Sequence, residues 1–72
     1  MNNIKEIALE IAKAEQEGKK IAMFHFQVLK YADELKHYRA IDFCEDVGVP
    51  ESYKTEFSKM IKLAEIINER GL

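Results

Sequence analysis

Between Ser52 and Lys62 the chain sets out hydroxyl and ammonium side chains at helical spacing: Ser52, Lys54, Thr55, Ser58, Lys59 and Lys62. Hydroxyls and ammonium groups donate hydrogen bonds, and a row of them suits anionic oxygens. Arg39, upstream, adds a guanidinium that can hold a phosphate. Other reactive residue types are scattered. His25 and His37 are the only histidines, with no Cys or carboxylate cluster at metal-ligand spacing around them, so both read as structural. Cys44 stands beside acids, which raise a thiol pKa, and reads as a small buried hydrophobe. Asp42, Glu45 and Asp46 read as a solvated face rather than a magnesium or acid–base pair. There is no glycine-rich phosphate loop, no GxSxG and no CxxC. A chain of 72 residues is also too short to enclose a ligand pocket of several hundred Å³. The expectation is binding, not catalysis, with no catalytic residue, no cofactor and no metal site.

Four helices are needed to position these groups. Asn3 and Glu6 have the spacing of a capping box, and Ile4, Ile7, Ala8 and Ile11 follow at helical period, so a first helix is expected over 4–17, ending at Gly18. Residues 20–36 carry Ile21, Phe24, Val28, Tyr31 and Leu35 on one stripe and form the expected second helix. The segment is too long for a typical strand, and no partner strand exists for it. Phe26 and Leu29 lie off that stripe, so the second helix is apolar on more than one side. A third helix is expected over 40–47, stopped by Gly48, and a fourth over 51–70, with Pro50 placed for its start. Tyr53, Phe57, Met60, Ile61, Ala64 and Ile67 make the stripe of the fourth helix, with Leu63 at its edge. At 1.5 Å per residue that helix is about 30 Å long, and its C-terminal half is expected to pack on the first helix or on a second subunit.

The segment Ala40–Ile61, AIDFCEDVGVPESYKTEFSKMI, resembles a helix-turn-helix. Cys44 is the small residue where the second helix crosses the first, Gly48 the turn glycine, Val49 the apolar plug after the turn, and Phe57 a buried position of the second helix. Lys54 departs from the pattern, which usually has a buried aliphatic residue there, and Tyr53 takes that role. The resemblance covers about 22 residues, or the last 50 if the second helix acts as the support. It implies an all-α fold, a small four-helix bundle whose last three helices form a tri-helical domain. It also implies double-stranded DNA as a partner. The DNA-facing residues would be Ser52, Lys54, Thr55, Ser58, Lys59 and Lys62, with Arg39 on a phosphate and Glu51 and Glu56 opposing.

Composition bounds this reading. The chain forms one domain at most, 1–72. Its net charge is −2 and its pI about 5.6, on the acidic side for a nucleic-acid binder. Residues 1–36 are neutral, with six Lys and six acids, and residues 37–72 carry five basic and seven acidic groups. The alternative function is therefore a protein-interaction module, an adaptor, inhibitor or small subunit that binds no DNA. Phe26, Leu29 and Leu63 are its candidate interface, and a homodimer is one form it can take. A lone cysteine fits a reducing, cytoplasmic setting, with no signal peptide and no membrane span. The leading expectation is a small DNA-binding or regulatory module of the kind common among bacterial, phage and plasmid regulators.

Overall fold

A computed structural model describes residues 3–72. Five helices follow one another: α1 Ile4–Gln16, α2 Lys20–Lys30, α3 Ala32–Leu35, α4 Ala40–Val47 and α5 Lys54–Glu69. The described residues contain no strand, and the all-α expectation holds.

Each helix follows from the period of its apolar residues. Ile7, Ile11 and Ala14 form the buried stripe of α1, and Phe24, Gln27 and Val28 that of α2. Phe43, Cys44 and Val47 do the same for α4, and Phe57 and Ala64 for α5. The stripes meet in one core in which Phe24, Phe43, Leu35, Val28 and Ile7 are fully enclosed. Phe43 is its hub. Its ring lies 5.0 Å from that of Phe57, 5.7 Å from Phe24 and 6.1 Å from Tyr38. Tilted and edge-on aromatic pairs at such distances contribute about 0.5–1.5 kcal/mol each beyond their area.

Three local expectations are corrected. The Asn3–Glu6 capping box does not form. Asn3 has φ −90° and ψ −1°, close to helical, so its side chain does not cap the helix; its Nδ2 instead donates to Glu34 Oε2 at 3.2 Å. The single helix over 20–36 is broken at Tyr31, with φ −110° and ψ 22°. The change of direction brings α3 against α5, where the small residues Ala32 and Ala64 line the junction. The helix expected over 51–70 begins as a 3-10 turn, Glu51–Tyr53, closed by Tyr53 N donating to Pro50 O at 3.0 Å. That tighter turn brings the Tyr53 ring edge-on to Phe24 at 5.1 Å.

The α4–α5 connection carries the helix-turn-helix geometry. Gly48 has φ 77° and ψ 32°, the left-handed region that an L side chain resists. Gly48 N donates to Glu45 O, and Val49 N to Cys44 O at 3.0 Å, the paired bonds of a Schellman motif. Val49 and Cys44 are both buried, so the residue after the turn closes the junction as expected. Phe57 is 4 % exposed, and Tyr53 is half-buried where Lys54 is exposed. The C-terminal half of α5 packs on α2 and α3, not on α1; α1 lies instead against α2 and α4.

Candidate nucleic-acid interface

On α5 the buried stripe faces α2, α3 and α4, and the opposite side is open. Thr55, Lys59 and Lys62 stand at i, i+4 and i+7, so they share one helical face, with Ser58 one turn from Thr55. All four are exposed. Ser58, Lys62 and Glu65 also line an open groove of about 330 Å³, together with Lys36 and Tyr38 from the loop before α4 and Ala40 at the start of α4. Arg39 lies in the same loop as the N-cap of α4, with its side chain 79 % exposed and 3.9 Å from Asp42.

The remaining members of the expected set are placed differently. Lys54 pairs with Glu51 at 3.2 Å. Ser52 is exposed in the 3-10 turn. Glu56, expected to oppose a phosphate backbone, is drawn aside. His25 Nε2 of α2 donates to Glu56 Oε1 at 2.8 Å, and Lys59 Nζ donates to Glu56 Oε2 at 3.3 Å. First the His25 hydrogen bond and then the Lys59 one hold the Glu56 carboxyl below the usual carboxylate range. Glu56 and Lys59 thus form an exposed i, i+3 pair, whereas no ion pair among the described residues involves Lys62. Lys62 shares its groove with Glu65, three residues on, without pairing with it.

Sequence reasoning overlooked Lys36, Tyr38 and the His25–Glu56 link. The run Lys36-His37-Tyr38-Arg39, basic and polar between two helices, held the signal for the first two. The third joins residues 31 apart and had none. Tyr38 donates from its hydroxyl to Asp46 Oδ2. That hydrogen bond, then burial and the charges of Asp46 and Asp42, raise the phenol pKa above its ordinary value. The link also takes up one acid of α4. Asp42, Glu45 and Asp46 all lie on the exposed side of α4, as expected for a solvated face.

The described residues contain no group of three or more His, Cys, Asp or Glu placed to hold a metal ion. Burial pushes the Cys44 thiol up, Glu51 adds to the effect and Lys54 opposes it, so the thiolate is disfavoured. No helix among the described residues is long and apolar enough to cross a membrane.

A family model described as an HTH-like domain matches residues 2–70. The chain belongs to that family. The match takes in α1 and α2 as well as the α4–α5 pair, so in this HTH-like domain the supporting helices are part of the unit rather than an appendage. No curated protein matches the chain, and no solved structure matches it.

Proposed function

We propose that this HTH-like domain is a DNA-binding regulatory module that works by binding rather than catalysis and sets α5 against the phosphates of duplex DNA. The observation that carries the reading is the open α5 face. Thr55, Ser58, Lys59 and Lys62 point outward together while Glu56 is held aside by His25. Lys62 is available to a phosphate as a charge, and the hydroxyls as donors to phosphate oxygens or base edges. Lys36 and Arg39, from the loop beside the groove, extend the basic edge. Of the acidic groups of α4, Asp46 is engaged by the Tyr38 hydroxyl and Asp42 lies 3.9 Å from Arg39. A net charge of −2 overall is compatible with this because the interface is local. The lone buried thiol fits a cytoplasmic setting.

The test is fluorescence anisotropy with a random-sequence duplex at about 20 mM and about 150 mM salt. With Lys59, Lys62 and Arg39 each neutralising one phosphate, log K should fall against log salt with a slope of about −2.7. Lys62→Glu should weaken binding to all duplexes and reduce the slope by about 1, with the far-UV spectrum unchanged. Absence of any salt-dependent signal at the lower salt would sink the reading. The protein-interaction alternative draws on a different surface, centred on Phe26.

A further inference from the structure

The α2–α5 seam exposes apolar side chains that have no role in the DNA reading. Phe26 is 55 % exposed on α2, and Leu63 and Ile66 are 39 % and 46 % exposed on α5. The two helices run in the same sense: His25 lies beside Glu56, and further along Leu29 and Ala32 lie beside Ala64 and Ile67. Phe26 and Leu29 are one turn apart, as are Leu63 and Ile66, so the four belong to one apolar face along the seam. At the end of that face is an open cleft of about 190 Å³ with an apolar floor of Leu29, Ala32, Ala64 and Ile67 and a polar rim of Lys30, Asp33 and Asn68. The alanines leave it open. A cavity of about 150 Å³ admits benzene, so this cleft has room for one aromatic ring.

We infer that the face is the interface to a second copy of this chain, each copy inserting Phe26 into the other's cleft across a two-fold axis. Knob and cleft stand one helical turn apart on the same surface, which is the self-complementarity that a two-fold interface requires. The cleft wall carries one cation and one anion, so the same axis offers Lys30 of each copy to Asp33 of the other. Size sets the strength. Helices of 11 and 16 residues, packed 8–10 Å apart, present an outward face of about 400 Å² in plan. A standard interface takes about 800 Å² per partner, so this contact belongs to the weak, transient class. The dimer leaves Ser52 in the 3-10 turn and Thr55 and Ser58 on the first turns of α5 uncovered, whereas Lys59 and Lys62 stand beside Leu63 and Ile66 at its edge. Its test needs no DNA, so its failure and that of the DNA reading are distinguishable.

Sedimentation equilibrium without DNA tests it, from about 5 to about 500 µM, a range suited to a weak dimer. The chain should pass from monomer to dimer, and Phe26→Asp should remain monomeric throughout with an unchanged far-UV spectrum. In a mixture of isotope-labelled and unlabelled wild-type chains, intermolecular NOEs should join the Phe26 ring to the Ala64 methyl. A wild type that stays monomeric at the top concentration overturns the inference and gives the face to another partner. A Phe26→Asp dimer as tight as the wild type overturns it, and so does a wild-type dimer lacking those NOEs. If Phe26→Asp fails to fold, Ile66→Lys replaces it with the same expected outcome, and the wild-type NOEs decide independently.

Discussion

Gly48→Ala isolates the conformational demand of the turn that sets α5 against α4. Gly48 has φ 77° and ψ 32°, and a Cβ added there would meet no atom within 4 Å. Alanine therefore meets no steric clash and bears only the cost of the left-handed backbone, about 1–2 kcal/mol. It also restricts the unfolded chain relative to glycine, which offsets about 0.4–1 kcal/mol. The expected net loss is about 1 kcal/mol. A chain of 72 residues at about 2.1 cal/mol/K per residue unfolds with an entropy of about 0.15 kcal/mol/K, so the Tm should fall by about 6–7 °C. Asparagine tolerates the left-handed region better, so Gly48→Asn should lose less than Gly48→Ala. Thermal unfolding followed by far-UV circular dichroism reads both variants against the wild type. A loss of about 3 kcal/mol or more would refute the reasoning, because strain alone does not reach it without a collision. An alanine variant as stable as the wild type would refute the positive φ itself.

Two further outcomes follow from the core and from the α2–α5 link. Phe43→Ala removes the hub ring, fully buried and in contact with three other aromatic rings. Such truncations cost about 3–5 kcal/mol, against a total of about 4–11 kcal/mol for a domain of this length. Urea unfolding should show the midpoint displaced close to zero denaturant, and a loss below about 1 kcal/mol would contradict the hub role. For Glu56 the pKa is lowered by His25 and Lys59. Its contribution to stability is therefore fully present above the ordinary Glu value of about 4.3 and is lost as pH falls through the lower folded value. The Tm gap between wild type and Glu56→Gln should be open near pH 6 and close below about pH 4; a gap constant down to pH 3 would exclude the depressed carboxyl.

The sequence by itself determined the helical class, the apolar stripes and the α4–turn–α5 unit. These depend on residues within a few positions of one another: the period of Ile7–Ile11–Ala14, the glycine at 48 that tolerates a positive φ, and the small Cys44 beneath Val49. It also placed Thr55, Ser58, Lys59 and Lys62 on one face, because helical spacing alone decides that. Tertiary structure decided what short spacing does not encode. Tyr31 breaks the second helix, Asn3 turns from capping to reach Glu34, and α5 chooses α2 and α3 over α1. It also decided the charge of the face. Glu56 read as an opposing carboxylate until His25, 31 residues away, drew it aside, and Lys36 and Tyr38 joined Ser58 and Lys62 only when the loop before α4 folded against α5. Periodicity reports which side of a helix is apolar; which neighbour covers that side, and which charges meet across the seam, are set by packing among elements distant in the chain.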